Sequence, residues 1–436
     1  MKAGIACPPF KSYKAFSYSM LFKSPRGTKD IFPPETNLWQ TIEGAARRVF
    51  SLYAFQEIRT PVIEETGLFL RSLGDLSDIV QKQMFLIKKE NDSFVLRPEA
   101  TASVIRAYIE SGTYHTSQLV KWFYIGPMFR AERPQKGRLR QFHHIGCEAI
   151  GSCSPVLDAE LIRLAVHILL EAGVAGFEVT INTLGCANDK KKLAIYLKEA
   201  LLPKKQMFCE DCQGRMERNV FRVLDCKNTQ CRENVAALSI DTGRVCQDCR
   251  NHFESVKKAL EAFGVTFRVD PLLVRGLDYY TKTVFEIKHP GLGAQDAIGA
   301  GGRYDNLVEE LGGPQKGAVG FALGVERMLL ARGSKEEGEA GGLDCYVIGL
   351  GDAAAAKCQE LMNVLREAGI ATDMDYTDGS LKSALRKAGA LKAKACVIVG
   401  DNELAKGAGL LKDMMKRTQI EVPLDRIVQQ VKETLC

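Results

Sequence analysis

The chain has 436 residues, of which 46% are apolar and 26% are charged, proportions typical of soluble globular proteins. No apolar run reaches the roughly 18 residues that a membrane-spanning helix needs, which argues against a membrane protein. The net charge of +6 permits a polyanionic partner without requiring one, and the length predicts two or three domains.

The first 20 residues contain three lysines and neither an acid nor an arginine. Three interpretations stay open: a weak organelle-targeting segment, a disordered extension, or a true start at Met20. Transit peptides are usually rich in arginine, which favours the latter two. The 14 cysteines are spread through a long chain without a secretory signal, so a reducing, cytoplasmic location without disulfides is predicted.

Helical periodicity opens the main domain. Apolar side chains recur at helical spacing over residues 33–53, and Pro33 and Pro34 suit a helix start. Apolar residues alternate in the β-type runs 177–181 and 283–287. Because helices and strands do not alternate regularly, the sequence predicts an α+β domain with a largely antiparallel sheet.

Residues 189–261 differ in composition and are interpreted as an inserted helical module. Lysine-rich sequence precedes six closely spaced cysteines there. The two C-x-x-C pairs have the spacing of a structural zinc site, so one Zn²⁺ is predicted with the ligands Cys209, Cys212, Cys246 and Cys249. Two alternatives stay open: Cys226 and Cys231 could replace one pair, or the thiols could be buried without metal.

A separate C-terminal domain follows a glycine-rich, mixed-charge linker at residues 332–342. Strands at 345–350, 370–374 and 396–400 enclose two helices, and this β-α-β-α-β order predicts a small α/β domain. The run 349–354 resembles a dinucleotide fingerprint, but Asp352 would stand where the pyrophosphate binds, so no dinucleotide is expected.

Four distant segments combine arginine with glycine or tyrosine. Residues 124–142 hold a basic run, Arg130, Arg133, Lys136, Arg138 and Arg140, against the single acid Glu132. Guanidinium groups bind phosphate oxygens bidentately, although a solvated basic hairpin is the alternative for this run. The other segments are 273–281, then 299–305, interpreted as a glycine-rich turn, and 320–327, where Arg327 opens a helix.

Together these segments resemble the motifs of class II aminoacyl-tRNA synthetases in the form found in histidyl-tRNA synthetases. The matching regions are 26–30 (N-terminal signature), that around Pro61 (motif 1), 129–133 (motif 2), 275–280 and 301–305 (histidine-specific), and 320–327 (motif 3). The resemblance, from about Ser24 to the C terminus, implies a class II catalytic core at 21–331 that contains the insertion. It also implies an anticodon-binding α/β domain at 343–436 and a homodimer.

The implied reaction activates L-histidine with ATP to histidyl-adenylate and transfers it to the 3′ end of tRNA(His), releasing AMP and pyrophosphate. Two anions meet in the first step, so fixed cations are needed. The resemblance implies that the catalytic residues Arg130 and Arg275 hold the α-phosphate and that Mg²⁺ bridges the outer phosphates. It further implies that ATP is contacted by Arg130, Glu132, Phe142 and Arg327. In this set Phe142 stacks on adenine and Arg327 binds the γ-phosphate.

The implied histidine site must match both nitrogens of an imidazole. Glu148 and Tyr280, with Tyr279 nearby, resemble the family's side chains for this task. The full implied set is Glu99, Ala100, Thr101, Arg130, His144, Glu148, Arg275, Tyr279 and Tyr280. His144 stands where the family commonly has glutamine, and an imidazole cannot supply both functions of an amide, which puts the affinity for histidine in doubt.

Two lysine-rich surfaces are candidates for tRNA contact. The first, interpreted equally well as a solvated helix, comprises Lys190, Lys191, Lys192, Lys198, Lys204 and Lys205. The second, free of acids in sequence, comprises Lys382, Arg386, Lys387, Lys392 and Lys394.

The rival interpretation of the whole chain is the catalytically silent paralogue that regulates histidine biosynthesis. That paralogue generally lacks the C-terminal domain and parts of the catalytic signature, and this chain has both.

Overall fold

The structure, a computed structural model, describes residues 22–74, 77, 79–90, 92–135, 137–238, 240, 244–293, 296–333, 342–376 and 379–435. The predicted extension 1–20, Lys136 and most of the predicted linker lie outside these residues. The chain divides into two compact units, Met1–Lys335 and Glu336–Cys436. No helix in the described ranges combines the length and the apolar character needed to cross a bilayer.

The strands of the first unit are β1 Gln56–Glu57, β2 Ile63–Glu65, β3 Phe85–Lys89, β4 Asp92–Leu96, β5 Val120–Phe129, β6 Gln141–Ile150, β7 Glu178–Thr183, β8 Arg268–Val269, β9 Thr281–Lys288, β10 Ala297–Arg303 and β11 Ala318–Gly324. Its helices are α1 Glu35–Leu52, α2 Thr66–Leu73, α3 Thr101–Glu110, α4 Pro155–Glu171, α5 Ala187–Leu201, α6 Glu210–Arg218, α7 Phe221–Leu224, α8 Thr229–Ala236, α9 Gln247–Ala262, α10 Leu307–Glu310 and α11 Val325–Arg332.

An eight-stranded sheet of order β1-β5-β6-β11-β10-β9-β7-β8 is the centre of this unit. The strands from β5 to β7 pair antiparallel, and only the edge strands β1 and β8 pair parallel to their neighbours. The predicted largely antiparallel sheet is therefore confirmed. A smaller sheet of order β2-β4-β3 lies beside it.

One face of the large sheet is sealed by helices. The predicted first helix is confirmed as α1, which starts directly after Pro34 and buries Ile42, Ala46 and Phe50. Side chains of α4, α9 and α11 join the same core. Burying each large apolar side chain contributes roughly 1.5–3 kcal/mol, so this layer makes the sheet a rigid support for its other face.

The interpretation of residues 299–305 as a glycine-rich turn is wrong. These residues form most of β10, paired on both sides with β9 and β11. Glycine is required there for close packing, since a Cβ on Gly301 would lie 2.3 Å from the carbonyl oxygen of Gly320. Arg303, at the end of β10, is fully buried and bonds to Asp158 of α4.

The insertion packs around a small core of its own, formed mainly by α5, α6, α7 and α8. Helix α9, which falls within the predicted range 189–261, instead buries Phe253 and Val256 in the main core. His252 of α9 also bonds to Asp158, with Nε2 and Oδ2 2.8 Å apart. The separately packed part of the insertion is therefore shorter than the sequence indicates.

The strands of the second unit are β12 Cys345–Leu350, β13 Thr372–Met374, β14 Ala395–Gly400, β15 Ala408–Asp413 and β16 Gln419–Pro423. Its helices are α12 Asp352–Glu367, α13 Leu381–Ala390, α14 Asp401–Ala405 and α15 Ile427–Leu435. The sheet order is β13-β12-β14-β15-β16, with the first three strands parallel and the last two added antiparallel. The β-α-β-α-β prediction is confirmed through residue 400 but did not extend to β15, β16 and α15.

Candidate active site

The second face of the large sheet is partly covered by α2 and α3 and has a floor of small residues. Register aligns Gly146 of β6 with Ala322 of β11 and with Ala300 of β10, and directly paired residues of antiparallel strands point to the same side. Gly320 and Gly302 continue this row. Side chains alternate along a strand, so β6 presents Phe142, His144 and Glu148 to the same face. The result is a trough lined by functional side chains.

Glu148 lies at one end of this trough and is 1% exposed. Its Oε1 accepts hydrogen bonds from the hydroxyls of Thr101 (2.8 Å) and Tyr124 (3.2 Å), and its Oε2 accepts one from Tyr304. Burial raises its pKa to about 8, above the ordinary 4.5. A buried carboxyl poised near neutrality can exchange a proton or hydrogen bond with an imidazole.

Sequence reasoning did not assign a role to Tyr124 or Tyr304. Tyr304 directly follows β10, and Tyr124 lies on β5 opposite Gly146. A Cβ on Gly146 would lie 2.5 Å from the ring of Tyr124. Both were visible inside recognised motifs. Their shared carboxylate partner depends on pairing between distant strands, which local sequence does not reveal.

Glu99 and Thr101 stand at the start of α3, with Ala100 as its N-cap residue, 1% exposed. The carboxylate of Glu99 accepts the backbone N–H groups of Thr101 (2.7 Å) and Ala102 (2.9 Å). Each carboxylate oxygen has further lone pairs, so Glu99 can still receive an ammonium group. The hydroxyl of Thr101 is already donated to Glu148 and can act toward a ligand only as an acceptor.

Arg130 follows β5 and lies over the ring of Phe142, with 5.3 Å between the guanidinium carbon and the ring centroid. Its Nε donates to the carbonyl oxygen of Pro98 at 3.0 Å, which orients the remaining N–H groups. Burial lowers its pKa. In the following loop, Glu132 accepts from Nη1 of Arg138 at 3.0 Å, so this acid offsets only part of the local positive charge.

Arg275 approaches the trough from the loop before β9. Its Nη1 donates to Oε1 of Glu286 at 2.5 Å, and Glu286 also bonds to Lys288 at 3.2 Å. Burial acts to lower the pKa of Arg275, but the Glu286 carboxylate outweighs it and the pKa is raised. Among the described residues its buried Nε has no hydrogen-bond partner. Sequence reasoning missed Glu286, which orients this arginine.

Arg327 lies in the first turn of α11, as the sequence predicts, and donates from Nε to the carbonyl oxygen of Gly137 at 3.2 Å. Nη1 donates to the carbonyl oxygen of Ala297. Burial, followed by the nearby Arg138, lowers the pKa of Arg327. The arginine therefore joins the turn of the basic hairpin to the start of β10.

His144 shares its face with Phe142, and their ring centroids are 5.0 Å apart. Burial, reinforced by Arg130 and Arg327, lowers its pKa to about 3, so the imidazole is neutral at physiological pH. Its buried Nδ1 has no hydrogen-bond partner in the described part of the chain. A neutral ring beside Arg130 and Arg327 can accept or donate one hydrogen bond without adding positive charge.

Tyr279 and Tyr280 are both buried, with ring centroids 4.7 Å apart. Burial raises the pKa of Tyr280 to about 12, while the Arg275 guanidinium acts in the opposite direction and Glu148 in the same one. Because Arg275 and Glu148 both act on Tyr280, the tyrosine pair, Arg275 and Glu148 lie in one region. Arg303, by contrast, is buried among Asp158, Asp305 and backbone carbonyls and takes no part in the trough.

Among the described residues, the cysteines of the predicted insertion fall into two clusters instead of one. In each cluster the candidate ligand atoms all lie within 4.8 Å of one another. The first comprises Cys209, Cys212, Cys226 and Cys231, and the second comprises Cys186, Asp189, Cys246 and Cys249. This corrects the predicted ligand set, because the two C-x-x-C pairs start helices α6 and α9, which belong to different cores.

The two lysine-rich surfaces are partly neutralised. Lys190 donates to the carbonyl oxygens of Asp278 (2.7 Å) and Tyr280 (2.8 Å), so it supports the loop that carries Arg275. Lys205 pairs with Glu217 at 2.6 Å. In the second unit, Lys387 bonds to Asp375 and Lys394 to Asp344, both at 2.8 Å. The patch that is free of acids in sequence therefore meets acids in space.

Comparison with known proteins gives consistent results. A family model described as histidyl-tRNA synthetase matches residues 27–328, and one described as an anticodon binding domain matches 344–434. The chain is 44% identical over 414 residues to the histidine–tRNA ligase of Halothermothrix orenii, covering 94% of this chain and 99% of that protein. It is 46% identical over 413 residues to that of Moorella thermoacetica, covering 94% and 97%. The crystal structure of apo histidyl-tRNA synthetase from S. aureus aligns with a TM-score of 0.79 at 34% identity, covering 94% and 100%.

Proposed function

The chain belongs to the histidyl-tRNA synthetase family, and we propose that histidine and ATP react in the trough on the second face of its central sheet. Its activity is the ATP-dependent attachment of histidine to tRNA(His), through histidyl-adenylate, with release of AMP and pyrophosphate. The single observation that supports this site is that cations meet on one face of the sheet. Arg130 and Arg327 act on a neutral His144, and Arg275 bonds to Glu286, whose charge also acts on Arg327. The buried Glu148 lies on the same face.

Adenylate formation joins the histidine carboxylate to the α-phosphorus of ATP. Arg130 and Arg275 offset the repulsion between these anions and stabilise the charge that develops on the phosphate oxygens. Both are held by groups of the protein, Pro98 and Glu286, before substrate arrives, so little reorganisation accompanies the reaction. Arg327, farther along the trough, binds the γ-phosphate.

Adenine packs near the ring of Phe142, which the Arg130 guanidinium also contacts. A bound Mg²⁺ would offset negative charge on the outer phosphates. Glu132 and Glu286, acids of this region, each bond to an arginine, so the protein offers a bound ion few carboxylate ligands. This fits an ion that is held mainly by the triphosphate, as is usual for Mg²⁺ in nucleotide sites.

Histidine is selected by matching the two nitrogens of its imidazole. Glu148 provides a group that can accept or donate, and the Tyr280 hydroxyl provides a second partner on the other side. Glu99 receives the α-ammonium group. His144, with its unpartnered Nδ1, offers one hydrogen bond where an amide would offer two kinds, so it serves orientation rather than charge.

One structural Zn²⁺ holds the insertion together, and its ligands are Cys209, Cys212, Cys226 and Cys231. The Sγ atoms of Cys209 and Cys226 are 3.9 Å apart. A tetrahedral site with Zn–S bonds of about 2.3 Å has S–S edges of about 3.8 Å. Since these thiols must stay reduced, the protein works in a reducing compartment, the cytoplasm.

Two copies of the chain form a homodimer through the small sheet. Ile63 of β2 and Ile87 of β3 are 51% and 37% exposed and lie on the same face of the small sheet, where they leave apolar side chains in water. We expect sedimentation of the wild-type protein to give a dimer and that of Ile63→Asp/Ile87→Asp to give a folded monomer. Ile195→Asp, on an exposed helix position of the insertion, is the control and should stay dimeric. A dimeric double variant would contradict this interface.

tRNA(His) binds both units. The second unit belongs to the anticodon-binding family. Lys387 and Lys394 of its basic patch pair with acids, and the other members contact phosphates: Lys382, Arg386 and Lys392. Phosphate contacts make affinity fall steeply with salt, so this contribution is measurable.

The activity is tested by pyrophosphate exchange with each amino acid, followed by charging of a tRNA pool. Histidine alone should support exchange, and only tRNA(His) should be charged. A protein that binds histidine yet gives neither exchange nor charging would be a regulatory paralogue. The catalytic arginines and the anticodon-binding unit argue against that alternative.

A further inference from the structure

The cysteine cluster that the sequence did not predict lies where the insertion joins the main core. Cys186 and Asp189 occupy the first turn of α5, just after strand β7 leaves the central sheet. Cys246 and Cys249 occupy the first turn of α9, which leads back into the main core. The four side chains thus connect the two ends of the insertion, which are about 60 residues apart in sequence.

From this geometry we infer that Cys186, Asp189, Cys246 and Cys249 bind a second Zn²⁺, which closes the base of the insertion. Three sulfur ligands and one carboxylate oxygen are a donor set suited to zinc, and their atoms all lie within 4.8 Å of one another. Asp189 and Cys249 are only 3% and 2% exposed, so this is not a chance cluster of surface acids.

The helix geometry supports anionic ligands at this point. Each helix supplies its N-cap residue and the residue three positions later: Cys186 and Asp189 from α5, Cys246 and Cys249 from α9. Two positive helix ends therefore meet at the same place, and thiolates and a carboxylate are stabilised there. A divalent cation then offsets the charge that these ligands bring together.

Close approach within the site depends on Gly185. It has a φ of +70°, and a Cβ there would lie 2.4 Å from the Cβ of Asp189. The Asp189 carboxylate accepts the backbone N–H of Cys186 at 3.2 Å and lies 3.4 Å from its Sγ. The next residue, Lys190, holds the carbonyl oxygens of Asp278 and Tyr280. The ion would therefore fix the turn that supports the histidine-binding loop.

Zinc content of the full-length protein, prepared reduced and with zinc present, tests this inference. We expect about two zinc ions per chain in the wild type, one in Cys246→Ser and one in Cys209→Ser. Cys246 is exposed and Cys209 half-buried, so neither serine should prevent folding. Cys153→Ser, an exposed cysteine outside both clusters, is the matched control and should keep two. X-ray absorption of Cys209→Ser should show mixed sulfur and oxygen ligands.

Several results would overturn the second site. One is a wild-type content of one zinc that Cys246→Ser retains; another is a protein without zinc. A disulfide between Cys186 and Cys246, found by mass spectrometry of protein prepared under the same reducing conditions, would do the same. A single zinc that Cys209→Ser keeps and Cys246→Ser loses would support the second site while removing the first.

Discussion

Arg275→Ala is expected to lower kcat/KM for adenylate formation about 100- to 1,000-fold, the range found when one preorganised transition-state contact is removed. Arg275 is oriented by Glu286, and the charge of Glu286 also acts on Arg327. Because its proposed role is to stabilise charge that develops during the reaction, kcat should fall more than histidine affinity. Pyrophosphate exchange over a range of histidine and ATP concentrations measures both.

Two further variants separate charge from orientation. Glu286→Gln keeps the arginine but weakens the bond that orients it, so an intermediate loss in kcat is expected. Arg268→Ala removes an arginine whose ion pair with Glu178 is half exposed, and it should leave the rate unchanged. An equal loss of histidine affinity and kcat in Arg275→Ala would show that Arg275 serves substrate binding in the ground state.

Glu148→Gln is expected to lower kcat/KM for histidine by at least about 100-fold, because the amide cannot reproduce the hydrogen bond of the buried carboxyl to the substrate imidazole. Its titration provides a second measurement. Burial raises the pKa of Glu148 to about 8 from the ordinary 4.5, so the folded protein keeps a proton that the unfolded chain has already lost between these values. The wild-type kcat/KM should therefore change across pH 8, and that of the glutamine variant should not.

The same proton links pH to folding. A group with a raised folded-state pKa contributes stability that is complete below about pH 4.5 and is lost as the pH rises through about 8. The loss amounts to at most about 1.4 kcal/mol per pH unit in this window. Urea unfolding at pH 6 and pH 8 should therefore show a smaller decrease for Glu148→Gln than for the wild type. Parallel decreases would mean that Glu148 is not the titrating group.

Gly320→Ala tests the position of Glu148 without changing the carboxyl group. A Cβ on Gly320 would lie 1.7 Å from Oε2 of Glu148 and 2.6 Å from the carbonyl oxygen of Cys147, so the side chain must move. We expect kcat/KM for histidine to fall by about 100-fold, as in Glu148→Gln. Gly67→Ala is the matched control, since it lies in α2 with no atom within 4 Å of its Cβ. Full activity in Gly320→Ala would contradict the proposed histidine site.

Sequence alone determined what depends on local pattern and on the chemistry of single side chains. Helical spacing located α1, and alternation located β7 and β9. The guanidinium groups of Arg130, Arg275 and Arg327 predicted a phosphate site, and that role stays a prediction. These features need no knowledge of distant neighbours, because periodicity and charge belong to the segment itself.

Tertiary structure decided which of these features meet. The glycine run forms the central strand β10 because β9 and β11 pair with it on both sides. Arg303 points to the face opposite the trough and bonds to the buried Asp158. Similarly, a C-x-x-C spacing marks a pair of ligands but carries no information about its partner pair. The cysteines therefore separated into two clusters once α6 and α9 joined different cores, since contacts between residues far apart in sequence depend on how the whole chain packs.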